Sequence, residues 1–216
     1  MSAVRFCDEG EFGLGWIQGG EFMERCSHAL VDGGRVWLLD PLDAEGVEER
    51  VRGLGEPAGV IQLLDRHARD CAAFADRLGV PHHLVPRMPV PGAPFEFRVV
   101  RERRRWREVA LWWPGAQVLA CADVLGTARY YRAGNERLAV HPLLRPMPPR
   151  NIVQGLTPGH VLCGHGEGVH EGAAEALDEA LRTARRRAPL LIAPAARALR
   201  RRMRAASRSR GRSARS

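Results

Sequence analysis

The stretch from Ala58 to Val85 constrains this chain most. Ala58 to Leu64 is a continuous apolar run of strand length. The polar segment Asp65-Arg66-His67-Ala68-Arg69-Asp70 follows it and leads into residues at helical spacing (Cys71, Phe74, Ala75, Leu78). His82 to Val85 then reads as another strand. The unit is therefore strand, loop, helix, strand, with the polar segment at the C-terminal end of its first strand. Open α/β sheets place ligand sites in such loops.

The flanking sequence supplies more strands. Phe12 to Gln18 is one apolar run closed by Gly19-Gly20. Ser27 to Val31 and Arg35 to Leu39 flank Asp32-Gly33-Gly34, a hairpin signal, and Asp40-Pro41 ends the second of them. Residues 44–54 read as a short helix. Residues 86–95 are a proline-rich loop. Phe95 to Val100, Val109 to Trp113 and Gln117 to Ala122 give three more strands, with Pro114-Gly115 as the last turn. Residues 124–158 are irregular and carry five prolines (Pro142, Pro146, Pro148, Pro149, Pro158). Val161 to Cys163 is a short strand, and Gly172 to Arg187 a helix with Ala173, Ala174, Leu177, Ala180 and Leu181 on one face.

A chain of 216 residues holds one domain with a real core. The net charge of +8 divides unevenly. Residues 182–216 hold 13 arginines and no carboxylate; the remaining 20 arginines face 25 carboxylates, a net charge of −5. The first 181 residues are thus mildly acidic and the C-terminal end is basic; the domain is read as residues 1–189 and the basic extension as residues 190–216. Leu190 to Met203 suits a basic amphipathic helix, and the Ser/Arg-rich end is expected to be disordered. Such a tail could hold nucleic acid weakly and without sequence preference, but no aromatic follows Tyr131 to stack on bases. No apolar run approaches the roughly 20 residues of a membrane span, and the N-terminus lacks a signal-peptide apolar region. A cytoplasmic location without membrane partners is expected. The five cysteines (Cys7, Cys26, Cys71, Cys121, Cys163) are odd in number and without a C-x-x-C pair, which argues against a disulfide framework and a zinc finger.

Three segments carry the candidate chemistry: Leu63 to Cys71, Val118 to Asp123, and Val161 to Gly166, which contains Gly164-His165-Gly166. Their order, spacing and flanks resemble the metallo-β-lactamase fold superfamily, in which the first segment reads H-x-H-x-D-H, the second ends in G-D and the third is G-H-G. The resemblance covers about residues 12–187. It implies an αββα four-layer sandwich of two mixed β-sheets flanked by helices, and a site for one or two zinc-like ions. With Asp70 aligned on the motif's aspartate, the first two histidine positions hold Arg66 and Ala68, and the third holds Cys71. His67 then falls one position off the pattern and is expected to point elsewhere. A later histidine of the family, counted back from Asp123, falls on Arg104. Thr157-Pro158-Gly159-His160 looks like that histidine turn but lies too late in the chain.

On this reading the first ion position keeps only Asp123 and gains Arg66 and Arg104. The second keeps Asp70, Asp123 and His165, with Cys71 for a histidine, a donor set acceptable to one zinc. Two functions follow. The first is a protein with a degenerate site, catalytically impaired or binding a small molecule, in which Arg66 and Arg104 replace metal as counter-charge. The second is a single-ion hydrolase of esters, thioesters or lactams, with Arg66 or Arg104 stabilising the developing oxyanion. The expected cofactor is accordingly none or a single zinc ion. His160, His170 and the Tyr130-Tyr131 pair are further cleft candidates.

Overall fold

The computed structural model describes residues 4–20 and 22–190; the basic extension beyond Leu190 lies outside them. Two sheets face each other. The first has six strands in sequence order: β1 (Val4–Gly10), β2 (Gly13–Gln18), β3 (Cys26–Asp32), β4 (Arg35–Leu39), β5 (Glu56–Gln62) and β6 (His82–Leu84). The second runs in the order β12 (His160–Cys163), β9 (Val118–Cys121), β8 (Trp106–Trp113), β7 (Glu96–Arg103). A small ladder joins β10 (Leu125–Gly126) to β11 (Ala139–Val140).

Local chemistry explains the elements. Gly33 and Gly34 both have positive φ (54° and 79°), which the tight β3–β4 hairpin requires and glycine supplies without strain. The chain then switches to parallel pairing. β4 pairs in parallel with β5, and β5 with β6. The crossovers are α1 (Val47–Leu54) and α2 (Cys71–Leu78), as parallel neighbours demand. Gly79, at φ 68°, ends α2 with its N–H on the carbonyls of Ala75 and Asp76, and Pro81 follows. The sequence pattern does not announce β1, where only Cys7 and Asp8 of seven residues are buried, nor the two-residue β10 and β11 inside the stretch read as irregular.

Alternation sorts the first sheet's side chains. Leu14, Trp16, Ala29, Val36, Leu38 and Val60 face outward and pack with Val47 and Val51 of α1 and Phe74 and Ala75 of α2. Leu30, Trp37, Leu39 and Ile61 face inward and share one core with Val109, Leu111, Leu119 and Leu162 of the second sheet. Residues 173–190 form a third helix, α3, and its buried stripe (Ala173, Ala176, Leu177, Ala180, Leu181, Ala184) joins that core. The layers are helix, sheet, sheet, helix, the αββα sandwich. Among the described residues no helix is long and apolar enough to cross a membrane.

The irregular region after β9 is held by a buried ion pair. Arg145 is fully buried and forks onto Glu136, with Nη1–Oε1 at 3.0 Å and Nη2–Oε2 at 2.6 Å, while Nη2 also donates to the Tyr131 carbonyl. Removing one member leaves the other charged and without compensation. Glu136→Ala should therefore lower unfolding stability by about 3–5 kcal/mol in urea titration; a loss under about 1 kcal/mol would show that Arg145 finds another anion or water.

Candidate metal centre

The parallel strands aim their C-terminal ends at one place. His67 leaves the loop after β5, Asp123 follows β9, His165 follows β12, and Asp40 follows β4. Three of their atoms converge. His67 Nε2 lies 3.1 Å from Asp123 Oδ1, His165 Nε2 lies 3.1 Å from the same oxygen, and the two nitrogens are 3.3 Å apart. All three residues are buried.

The opposite edge of each imidazole is already committed. His67 Nδ1 is 2.9 Å from Asp40 Oδ2, and His165 Nδ1 is 2.7 Å from the Met23 carbonyl oxygen. Both partners accept, so each Nδ1 carries the proton and each Nε2 presents a lone pair in the neutral ring. Asp123 Oδ1 is buried and receives no well-directed hydrogen bond. Three electron-rich atoms thus face one point, and a cation or added protons must hold them together. Zinc bonds of about 2.0–2.1 Å in a tetrahedron give donor separations near 3.3 Å, which the three distances match. Two histidines and one carboxylate with an open fourth position are a donor set used by catalytic zinc. The carboxylate behind His67 and the carbonyl behind His165 are the outer contacts that orient such ligands. The residues fit a zinc-like ion.

The surroundings fix Asp123. Glu108 is fully buried and accepts from the backbone N–H groups of Asp123 and Val124, both at 2.8 Å, and from Trp106 Nε1 at 2.7 Å. Burial, reinforced by the charge of Asp123, pushes the Glu108 carboxyl up to about 7. Tyr131 Oη donates to the Asp123 carbonyl at 2.8 Å. The Asp123 carboxyl is raised by burial but held far below the usual range by His165 and His67. Burial lowers the pKa of His67, yet its contacts with Asp123 and Asp40 outweigh that and leave it raised. Arg66 donates to the other oxygen, Asp123 Oδ2, at 2.8 Å, and its guanidinium lies over the Trp106 ring at 4.5 Å. The Arg66 side chain is 47% exposed, so it marks the solvent side of the centre.

Asp123, His165 and Arg66 of the sequence-derived residues meet here; Asp70, Cys71 and Arg104 do not. Asp70 precedes α2, and its Oδ2 accepts the Asp43 N–H at 2.7 Å. Cys71 is buried against the outer face of the first sheet, away from the three converging atoms, with its thiol on the His67 carbonyl and pushed far up by burial. Arg104 lies exposed in the β7–β8 turn. The expectation that His67 points elsewhere is corrected, because motif spacing presumes a standard loop path. Arg69, at φ 39°, turns that path, and its guanidinium binds the carbonyls of Cys26, Asp40 and Gly164. If His67 is aligned on the motif's second histidine, Arg69 falls where the motif has its aspartate. One signal in the sequence pointed to His67: it is the only histidine in the loop at the end of β5. His160 and His170 lie away from this centre, paired with each other through Nδ1 at 3.0 Å.

Solved structures decide the family of folds. A TMB-1 structure described by its substrate and inhibitor binding matches 88% of this chain and 98% of its own at TM-score 0.63 and 11% identity. The chain has the metallo-β-lactamase fold. A metallo-β-lactamase from Pontibacter korlensis aligns over 83% of this chain and 99% of its own, with TM-score 0.60 and 10% identity. A fragment of a putative diflavin flavoprotein from Nostoc sp. PCC 7120 does so over 86% and 98%, with TM-score 0.60 and 12% identity. No family model matches the sequence, and no curated protein matches it significantly. The metallo-β-lactamase fold serves both lactamases and a flavoprotein fragment among these neighbours, so function rests on the site.

The Asp40 carboxylate sets which nitrogen of His67 is free. Asp40→Asn would turn an amide N–H toward Nδ1, move the ring proton to Nε2 and block ligation. Zinc affinity, read by chelator competition, should fall about 10–100-fold; unchanged affinity would mean that His67 is not a ligand.

Proposed function

We propose that this protein is a single-ion metallo-hydrolase acting on an ester, thioester or lactam, with His67, Asp123 and His165 as the protein ligands. The observation that carries the proposal is the mutual 3.1–3.3 Å spacing of the three donor atoms, with both Nδ1 edges capped by acceptors. When bound, a zinc-like ion supplies Lewis acidity toward a carbonyl oxygen and lowers the pKa of a water to about 7. Asp40, the Met23 carbonyl and Glu108 hold the ligands in place. Arg66, exposed at the rim and anchored on Asp123 Oδ2, can meet negative charge that develops on a substrate oxygen or that the substrate brings with it.

The same Arg66 contact supports the alternative of an impaired, ligand-binding site. A guanidinium 2.8 Å from Asp123 Oδ2 supplies positive charge on the side where a second cation would draw on that carboxylate. The catalytic reading is favoured because Arg66 engages one oxygen only and leaves Oδ1 to the two histidines.

Metal content of the purified full chain and hydrolysis of a panel of chromogenic ester, thioester and cephalosporin substrates test the proposal together. His67→Ala and His165→Ala should each lose one ion per chain and cut kcat/KM at least about 100-fold, whereas Asp70→Ala and Cys71→Ala should keep the ion. Retention of the ion in both histidine variants would refute the assignment. An ion present without turnover would leave the binding reading in its place.

A further inference from the structure

A second set of metal-ligating atoms lies on the inner face of the first sheet, across β1, β2 and β3. Cys7 Sγ is 3.7 Å from Cys26 Sγ and 3.6 Å from Asp8 Oδ2. Cys26 Sγ is 3.6 Å from His28 Nε2, and that nitrogen is 3.1 Å from Asp8 Oδ2. All four residues are buried. We propose that Cys7, Asp8 and Cys26 form a second metal site, with His28 set against the Asp8 carboxylate beside it, one that takes a thiophilic divalent ion such as zinc and ties β1 to β3.

Zinc–sulfur bonds of about 2.3 Å in a tetrahedron place two sulfurs about 3.8 Å apart, and mixed sulfur–nitrogen or sulfur–oxygen edges come to about 3.5 Å. The Cys7–Cys26 edge of 3.7 Å and the Cys7–Asp8 edge of 3.6 Å lie close to these lengths. The backbone is bent to make the set. Successive strand residues point to opposite faces, yet Cys7 and Asp8 share one: Asp8 sits at φ 52° in a register shift between Cys7 and Gly10. Gly15, paired with both Cys7 and His28, leaves the space above β2 open. A Cβ there would lie 2.9 Å from His28 Cδ2 and 3.1 Å from Asp8 Oδ2. The other carboxylate oxygen is taken: Asp8 Oδ1 accepts from the Gly168 N–H at 2.8 Å and lies 3.0 Å from His170 Nε2, leaving Oδ2 toward the thiols and His28. The Asp8–His170–His160 chain is the kind of outer support that orients a ligand.

The two cysteines are free thiols on strands separated by β2, with their sulfurs 3.7 Å apart. Loading releases the two thiol protons to solvent and leaves two thiolates and one carboxylate around the cation, a net charge of −1 at the site for a divalent ion. Arg69, bonded to the Cys26 carbonyl at 2.6 Å, supplies nearby positive charge. His170, Gly168 and Ile17, which adjoin this set, also line a cavity of about 780 Å³. Cys26 N–H donates to the Gly164 carbonyl, next to His165, so the second ion would brace the segment that carries a ligand of the first.

Cobalt(II) substitution of the full chain tests the site, because thiolates give an intense near-ultraviolet charge-transfer band that a histidine–carboxylate set does not. The band should appear in the wild type, persist in His67→Ala and His165→Ala, and vanish in Cys7→Ser and Cys26→Ser. Should the serine variants fail to fold, alkylation mapping of the wild type keeps the proposal testable. Zinc should slow modification of Cys7 and Cys26 at least about tenfold relative to chelator-treated protein, with Cys71, Cys121 and Cys163 unaffected. Absence of the band, its survival in both serine variants, or alkylation indifferent to zinc would overturn the proposal.

Discussion

Three lone-pair-bearing atoms, two imidazole nitrogens and a carboxylate oxygen, meet within 3.3 Å in a buried cleft, and the surrounding contacts make sense as means of keeping them there. Burying electron-rich groups against one another costs free energy unless something positive stands between them. The protein spends several interactions on the arrangement: a carboxylate behind one histidine, a carbonyl behind the other, and a fully buried glutamate that fixes the backbone at Asp123. His67, Asp123, His165 and Asp40 follow four different strands drawn from both sheets, so the arrangement exists only when both sheets are assembled. The αββα sandwich is what makes the centre possible.

Arginine has two roles near the centre. Arg66 balances Asp123 from the solvent side and rests on Trp106. Arg69 never reaches the ligands; it gathers three backbone carbonyls from β3, the end of β4 and the loop after β12. Five donors in a fixed fork suit arginine to that task, where a lysine would meet fewer acceptors. The loop that carries His67 is thereby tied to the one that carries His165.

Much of the fold was legible because periodicity reports burial. The Asp32-Gly33-Gly34 turn, the buried run of β5 and the 3.6-residue spacing of α2 each follow from physics local to the segment. β1 was not legible, since an acidic strand with two buried residues has no apolar alternation to read. The site was legible in part. Asp123 and His165 lie at strand ends where short glycine-rich or polar turns leave little freedom. His67 was misplaced because a residue count across Asp65 to Asp70 assumes one loop path, and Arg69 in the left-handed region selects another. Asp70 and Cys71 were drawn into the ligand set by the same one-residue frame, whereas the fold gives one to the Asp43 amide and the other to the apolar layer under the helices. Arg104 depended on a count across a hairpin, and the β7–β8 turn carries it into solvent. The cluster of Cys7, Asp8, Cys26 and His28 had no sequence signature, because its members are brought together across strands by a bulge and a glycine.

Anomalous diffraction at the zinc edge, from crystals of the full chain grown with zinc, tests the central claim most directly. A peak about 2.0–2.2 Å from His67 Nε2, Asp123 Oδ1 and His165 Nε2 together is the predicted result. No density among those atoms, with His67 and His165 instead donating protonated Nε2–H groups to Asp123, would contradict it.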